Sequence, residues 1–481
     1  MKNISLILCF LNLGICFSQS EITWQPSIDI SQQSFGNLHP RIAVNAAGLP
    51  VIIWGRSSDE SVFCTRLENN IFKAPFKLNQ SGLTIATQSW MGPDIASKGD
   101  TMYVVMKQTP ENLSSNHVFI ASSFDGGANF NKQIKVDDIV DSLTRFPAIG
   151  IDQMGNPIVG FMKFNAAFEE SRWVASKSND LGKTFQKDIK VSAYSSPEST
   201  VCDCCPGSIA YSENNIALLY RDNFKNIRDS WASISLNGGD TFNKGYNVDG
   251  NNWLINSCPA TGPDGAIIGD SLYSVFMNGS KIPNRVYLNV SSIKDGSNIN
   301  ATKALGGNIS GLEIQNYPHI ATSGKAVAIV WIQRVNGITQ LPLIFTNNIN
   351  KGLPNTAEIM DENDIANADV AIFNNKIYIV WEDDKSGTVK YKQGEFDPDV
   401  TLTNETFSLE INVYPNPNAG NFNINSSIIP DEITIHDING KICYSEKPFS
   451  KQTKVKLLSK GIYFVSVIKQ GKMASKTICI E

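Results

Sequence analysis

Basic side chains recur where short apolar runs end. They are Arg56, Lys107, Lys163, Arg221 and Arg334, in a chain whose net charge is −5. If these ends share one face, their charges form a mouth for an anionic ligand such as a carboxylate-bearing sugar. The alternative is that they are solvated loop tips. The residues we predict to bind a ligand are Arg41, Arg56, Lys163, Arg221, Asp222, Arg228, Trp253 and His319.

The chain length and composition predict an exported protein of two or three domains. It has 481 residues, of which 42% are hydrophobic and 18% charged. This balance is typical of a folded protein, and the acidic net charge argues against nucleic-acid binding. Residues 1–19 carry a lysine, an apolar run and a small residue, as in a signal peptide. No later stretch is apolar and long enough to predict a membrane span.

Cysteines lie close to the predicted ligand residues. Cys202, Cys204 and Cys205 form one cluster, and Cys258 follows further along the chain. In an exported protein such cysteines favour disulfides, with one bridge from the cluster to Cys258 and room for a second within the cluster. A metal site with Asp203 as a further ligand is the alternative, but the spacing is not that of a zinc finger. We therefore predict disulfides, no metal and no cofactor.

Pairs of short apolar runs predict an all-β repeat protein. The first run of six pairs follows a proline, and these prolines are Pro40, Pro93, Pro147, Pro206, Pro259 and Pro318. A seventh pair, near 368–381, lacks the proline. Spacings of about 50 to 60 residues fit four-stranded propeller blades. We predict a seven-bladed β-propeller over 20–396, in which the lone strand at 22–30 completes the seventh blade. Six blades is the alternative.

Three octets support this repeat. They begin at Ser123, Ser178 and Ser235 and share a Ser-x-Asp/Asn-x-Gly-x-Thr/Asn-Phe pattern. Asp or Asn can accept main-chain hydrogen bonds in a tight turn, and Gly supplies a positive φ. The octets resemble the Asp box, or BNR repeat, of sialidase-like β-propellers. The resemblance assigns structural roles to Ser123, Asp125, Gly127, Phe130, Ser178, Asp180, Gly182, Phe185, Ser235, Asn237, Gly239 and Phe242.

The same resemblance implies a catalytic set. In sialidases, arginines bind the substrate carboxylate, a Tyr–Glu pair supplies the nucleophile and an Asp acts as acid and base. Arg145 before Pro147 resembles the family's first arginine, Glu170 lies near the place of the acid/base, and Tyr317 is a candidate nucleophile. The sequence departs from the family at Lys163, where a second arginine is expected. We therefore predict glycan or surface-protein binding, with an exo-sialidase-like hydrolase as the alternative.

The last part of the chain has a different composition. A polar linker at 397–408 precedes Tyr-Pro-Asn-Pro at 414–417, Asp-Ile-Asn-Gly-Lys at 437–441 and Leu-Ser-Lys-Gly-Ile-Tyr-Phe at 458–464. Residues 409–481 resemble the C-terminal sorting domain of the type IX secretion system of Bacteroidetes, a small Ig-like β-sandwich. The resemblance implies that the tail engages the type IX machinery and that the protein is secreted or displayed on the outer-membrane surface. The other predicted partners of the protein are acidic glycans or glycoproteins.

Overall fold

The computed structural model describes residues 22–33, 36–137, 142–196, 198–242, 245–398, 411–427, 429–448, 450–457, 459–469 and 472–481. The predicted signal peptide at 1–19 and linker residues 399–408 lie outside the described residues. The chain divides into two compact units, Met1–Asp399 and Val400–Glu481. Both are built from antiparallel strands, and the described part adds one short 3₁₀ helix, Ile349–Lys351.

In its described residues, the first unit contains seven antiparallel sheets, named here first to seventh in chain order. The first sheet contains Asn37–Val44, Pro50–Arg56, Ser61–Glu68, Ile71–Phe72 and Phe76–Lys77. The second contains Asp94–Lys98, Thr101–Lys107, Val118–Ser123 and Ile134–Lys135. The third contains Ser142–Ile151, Pro157–Asn165, Arg172–Lys177 and Ile189–Lys190. The fourth contains Thr200–Val201, Ser208–Ser212, Asn215–Asn223, Ser230–Ser235 and Tyr246–Asn247.

The remaining three sheets continue the same up-and-down order. The fifth contains Asp264–Ile268, Ser271–Asn278, Arg285–Ser292 and Asn298–Ala304. The sixth contains Leu312–Ser323, Ala326–Val335, Ile338–Thr346 and Glu358–Glu362. The seventh contains Ile365–Phe373, Lys376–Asp383 and Thr388–Phe396, to which Ile22–Trp24 and Ile28–Asp29 are added.

The seven sheets form a closed ring. The strand that begins each sheet (in the fourth, Ser208–Ser212) contacts its counterpart in the next sheet, and Ile365–Phe373 of the seventh contacts Asn37–Val44 of the first. Apolar side chains fill the spaces between neighbouring sheets, so the core is distributed around the ring. Its largest buried members are Trp54, Trp173, Trp331 and Trp381. Burying such side chains supplies the main drive for stacking the sheets.

The N-terminal strand closes the ring as predicted. Ile22 pairs with Phe396 and Trp24 with Gly394, which places the first described residues at the outer edge of the seventh sheet. Gly394 is required there, since a Cβ would lie 2.4 Å from Ile22 Cγ2. The two ends of this unit are therefore joined by main-chain hydrogen bonds.

One predicted boundary is wrong. The sequence analysis placed Pro259, next to Cys258, at the start of the fifth repeat. The first strand of the fifth sheet begins instead at Asp264, directly after Pro263. Cys258 thus lies in the loop before this strand, because a longer connection follows the fourth sheet than the repeat suggested.

The three octets form the same turn. Each lies between the last two strands of its sheet, in the second, third and fourth sheets respectively. The Asp180 carboxylate accepts Thr184 N–H at 2.8 Å and Thr184 Oγ–H at 2.7 Å. In the third octet, Asn237 accepts Thr241 N–H at 3.0 Å and donates to Thr241 Oγ at 2.9 Å. Asn therefore replaces Asp with both bonds kept.

The described residues of the second unit form two sheets. One contains Ile411–Tyr414, Asn421–Ser426 and Gln452–Lys456, and the other Glu432–Asp437, Ile442–Glu446, Gly461–Lys469 and Lys472–Ile480. Alternating side chains such as Ile424, Ile433, Val465 and Ile478 meet in one apolar core. This alternation is what two facing antiparallel sheets require.

The octet geometry predicts how substitutions at Asp180 affect stability. Asp180→Ala removes both bonds to Thr184 and should lower the melting temperature at pH 7, whereas Asp180→Asn should leave it nearly unchanged, as Asn237 illustrates. The hydrogen bonds from Thr184 lower the pKa of Asp180 to about 2. A lowered pKa stabilises the fold above about pH 4, and this contribution is lost as the pH falls towards 2. Melting curves of the three proteins at pH 7 and pH 3 test this, and equal losses in both variants would contradict it.

Candidate functional site

A repeated bulge opens four of the first strands towards the ring axis. The pairing with the second strand shifts between Leu38 and Arg41, Arg145 and Ala148, Asn316 and His319, and Ala366 and Ala368. The bulged residues have positive φ: His39 +50°, Phe146 +49°, Tyr317 +51° and Asn367 +36°. Non-glycine residues adopt this conformation at a cost, and such bulges re-aim side chains near binding sites.

The first strands surround a cavity of about 360 Å³, which we call the central cavity. It is lined from all seven sheets, and the residues that follow the bulge or proline supply most of its charge. These charged residues are Arg41, Asp94, Asp264, His319 and Asp369. Aromatic His39, Trp90 and Phe146 line the same cavity.

Three carboxylates of the central cavity also hold neighbouring sheets together. Asp94 accepts the N–H of Ile149 in the third sheet at 3.1 Å. Asp264 accepts the N–H of Ile320 in the sixth sheet at 3.0 Å, and Asp369 accepts the N–H of Ile42 in the first at 3.0 Å. Each uses one oxygen for this bond, so the same group fixes the sheets and faces the cavity.

The protonation of these carboxylates differs because their neighbours differ. Burial raises the pKa of Asp94 to about 6 and also raises the pKa of Asp369. Burial opposes ionisation of Asp264 too, but His319 Nδ1 lies 3.3 Å away, and its hydrogen bond and charge bring the pKa below the usual value. Asp94 therefore takes up a proton at a higher pH than Asp264 does.

His39 is a buried residue in the lining of the cavity. Burial, followed by the charge of Arg41, lowers its pKa to about 3. Its main-chain N–H donates to Glu382 Oε2 at 3.1 Å, and Asn367 Nδ2 donates to the same oxygen at 3.0 Å. Among the described residues, no group bonds His39 Nε2, although this nitrogen is buried. His39 therefore joins the first sheet to the seventh through its main chain.

Trp90 is the exposed aromatic side chain at the mouth of the cavity. Its exposed fraction is 40%, and it lines both the central cavity and an adjoining cavity of about 60 Å³ that reaches Tyr317. Trp253, which the sequence analysis placed in the ligand site, is 5% exposed and packs under the guanidinium of Arg221. The ligand-binding role predicted for Trp253 is therefore wrong: it is a core residue.

The predicted cationic mouth is not present, because its charges have partners. Arg56 pairs with Asp59 at 2.7 Å, Lys163 with Asp188 at 3.1 Å and Arg334 with Glu313 at 2.5 Å. Lys107 donates to the carbonyl of Asn116 at 2.6 Å. These cations of the second-strand ends are thus used within the fold.

Arg221 and Asp222 are likewise structural. Arg221 is fully buried and donates to the carbonyl oxygens of Thr261, Arg228 and Met277. Asp222 is 1% exposed, and burial raises its pKa to about 6. Arg228 is buried and donates to the sulfur of Cys202. Neither Arg221 nor Asp222 can reach a ligand, which corrects the strongest site prediction. Of the predicted ligand residues, Arg41 and His319 line the central cavity.

The sialidase-like set is not brought together. Arg145 lines a separate cavity of about 430 Å³. Its Nε donates to Glu111 Oε2 at 2.7 Å, and its Nη2 donates to the other oxygen of the same carboxylate. Tyr317 lines the small cavity beside Trp90, and Glu170 is exposed and lines neither. The grouping of Arg145, Glu170 and Tyr317 in one pocket therefore has no support in the described geometry.

The sequence analysis missed the carboxylates of the central cavity. Asp94 follows Pro93 as Arg41 follows Pro40 and His319 follows Pro318. Reading the residue after each proline as one structural position would have found Asp94. Asp264 would not have been found in this way, because the fifth repeat was assigned to Pro259 rather than Pro263. Asp369 would also have been missed, because no proline marks the start of the seventh repeat.

The cysteines meet where the fourth and fifth sheets begin. Cys204 and Cys258 form a disulfide, and Cys202 Sγ lies 2.9 Å from Cys205 Sγ. All four sulfurs lie within 4.8 Å of one another, a spacing that also suits a thiolate-bound metal. The sequence-predicted bridge from the cluster to Cys258 is thus the one the structure contains. Cys64, Cys443 and Cys479 are unpaired thiols among the described residues.

Comparison with known proteins identifies the tail. Residues 412–481 match the family described as secretion system C-terminal sorting domain. The chain is therefore carried by type IX secretion to the cell surface or released from it. No helix in the described part is long and apolar enough to cross a membrane. No curated protein matches the chain.

Solved structures resemble the first unit at low identity. The polysaccharide lyase Uly1 aligns with a TM-score of 0.50 and 11% identity, over 78% of this chain and 100% of that one. A PL25 ulvan lyase aligns with a TM-score of 0.48 and 10% identity, over 75% of this chain and 95% of that one. A protein of unknown function from Dyadobacter fermentans aligns with a TM-score of 0.47 and 10% identity, over 78% of this chain and 99% of that one. The similarity to Uly1 supports a propeller-type fold and nothing finer.

The two kinds of carboxylate in the cavity predict opposite pH effects. A raised pKa means that folded Asp94 holds its proton longer, so its contribution to stability falls as the pH rises from about 4 to about 6. The pKa of Asp264 is lowered, so its contribution to stability is instead lost as the pH falls below about 4. Asp94→Asn should therefore flatten the fall in melting temperature between pH 4 and 6. Asp264→Asn should leave that fall in place, and identical profiles for both variants would contradict the assignment.

Proposed function

We propose that the seven sheets are the blades of a sialidase-like β-propeller whose octets are Asp boxes, and that the central cavity binds a glycan. On this proposal the second unit is an Ig-like sandwich that serves as the address for export. The observation that carries the binding proposal is the exposed indole of Trp90 at the rim of a polar cavity.

An exposed aromatic ring beside hydrogen-bonding groups suits a sugar. The ring stacks on the apolar face of the pyranose, and the polar groups bond its hydroxyls. Here the donors are Arg41 and His319, and the acceptors are the carboxylates of Asp94 and Asp264. That a lyase of similar fold acts on a polysaccharide is consistent with this ligand class.

The charge of the cavity indicates how an acidic ligand would bind. With the strand-end cations paired, Arg41 is the guanidinium that lines the cavity, and it stands among three aspartates. We infer that sugar hydroxyls provide most of the recognition and that a single carboxylate is directed to Arg41. A polyanion held by many cations is not favoured.

Replacement of Trp90 tests the site. Trp90→Ala should weaken binding to the best ligand of a panel of neutral and uronate-containing polysaccharides by roughly tenfold or more, since truncating a central interface Trp costs about 2 kcal/mol. Isothermal titration with the full chain measures this. The melting temperature should not change, because the indole is exposed.

Phe124→Ala is the matched control. Phe124 is also exposed, at 46%, and belongs to the second sheet, but it follows the third strand and does not line the cavity. Binding that is equally reduced in both variants would contradict the proposed site. Release of free sialic acid from sialylated glycans, lost in Tyr317→Phe, would instead establish the hydrolase.

The tail predicts where the protein goes. Deletion of residues 411–481 should retain the chain in the periplasm while the first unit keeps its melting temperature, since the two units have separate cores. Fractionation of cells and culture medium measures the distribution. The full-length chain carrying Asp180→Asn serves as an exported control. Surface delivery of the truncated chain would contradict the address role.

A further inference from the structure

The cysteine cluster places a free thiol next to a disulfide. Cys202 Sγ lies 3.6 Å from Cys204 Sγ, which is bonded to Cys258, and 2.9 Å from Cys205 Sγ. Cys202 therefore has a bridge sulfur as one neighbour and a second thiol as the other. Thiol–disulfide exchange needs this succession of sulfurs.

Exposure differs sharply across the four cysteines. Cys202 and Cys205 have no exposed surface, Cys204 is half-buried and Cys258 is exposed. The bridge thus lies at the surface and the free pair beneath it. Reagents in solution can reach Cys258, but they meet the inner pair only through the bridge.

The surroundings of Cys202 favour its thiolate. The hydrogen bond with Cys205 lowers its pKa to about 7, with help from the charges of Arg228 and Arg221, against the opposing effect of burial. Arg228 Nη1 donates directly to this sulfur at 3.1 Å. Cys64 is equally buried, but burial raises its pKa. A cation next to a thiol lowers its pKa and so favours the nucleophilic thiolate.

We propose that the four cysteines form a thiol–disulfide exchange site in which Cys202 attacks Cys204. The Cys202–Cys204 bond forms, the Cys204–Cys258 bond breaks, and Cys258 leaves as a thiolate that takes up a proton. Cys205 then loses its proton and attacks Cys202. The Cys202–Cys205 bond forms, and Cys204 leaves with the electron pair and takes up a proton.

The net result moves two electrons outward without an external reagent. The inner pair loses two protons and becomes a disulfide, and the outer pair gains two protons and becomes a dithiol. The substrate class is an external disulfide that reaches Cys258, because the outer dithiol can reduce it to two thiols and return to the bridged state. The inner pair then serves as the reserve of reducing equivalents.

Two variants of the full chain separate the steps. In Cys205→Ser, Cys202 remains a thiol with a hydroxyl in place of its partner, so the first step proceeds and the second cannot. Iodoacetamide under native conditions should then label Cys258, and peptide mapping should find a Cys202–Cys204 bridge. In Cys202→Ser the attacking sulfur is gone, and labelling of Cys258 should be lost.

Further measurements keep the test independent of the folding of either variant. Cys64→Ser, which removes a buried thiol outside the cluster, should behave as the wild type. Wild-type protein incubated with iodoacetamide and no reductant should accumulate a Cys202–Cys205 bridge, because alkylation of Cys204 and Cys258 traps the outer dithiol. Arg228→Gln should shift the pH midpoint of Cys258 release upward in the Cys205→Ser background.

Three results would overturn the proposal. One is a Cys258 that stays unlabelled in Cys205→Ser, and another is equal labelling of Cys258 in Cys205→Ser and Cys202→Ser. The third is wild-type protein that contains stoichiometric zinc and no bridge in the cluster, which would make the four sulfurs a metal site.

Discussion

The ring depends on carboxylates that accept main-chain N–H groups from the neighbouring sheet. Asp94, Asp264 and Asp369 each reach across to the first strand of the next sheet. Hydrogen bonds to charged groups contribute about 1.5 to 3 kcal/mol each, more than neutral ones. Because these bonds lie at the axis, where the sheets are closest, small changes there displace whole sheets.

The seam between the seventh and first sheets needs the most such bonds. Its partners are far apart in the chain: Asp369 and Ile42 are separated by 327 residues, and His39 and Glu382 by 343. Closing so long a loop costs conformational entropy. Asn37 adds a bond to the carbonyl of Gly387, and Ile22–Trp24 adds a strand pairing. The lone N-terminal strand is therefore part of the closure rather than an appendage.

The sequence predicted what depends on local patterns and missed what depends on partners. The octets and the strand pairs are local, since turn chemistry and alternation determine them, and the closing strand followed from counting the strands of the repeats. The roles of Arg221 and Lys163 depend on Met277 and Asp188, which are distant in the chain or not distinguished by any pattern. The local sequence around a charged residue at a strand end does not show whether its side chain is solvated or paired. Pro259 was misplaced for a related reason, since loop length between repeats leaves no local signal.

The distribution of charge around each sheet explains where a ligand can act. At the second-strand ends, cations such as Arg56 and Arg334 face acidic side chains of their own sheet, so the field outside is small. At the first-strand starts, bulges force His39 and Tyr317 out of the ladder, and Asp and His side chains crowd the axis. The same carboxylates that join neighbouring sheets also line the cavity, so the ring geometry that stabilises the fold brings polar groups together at the strand starts.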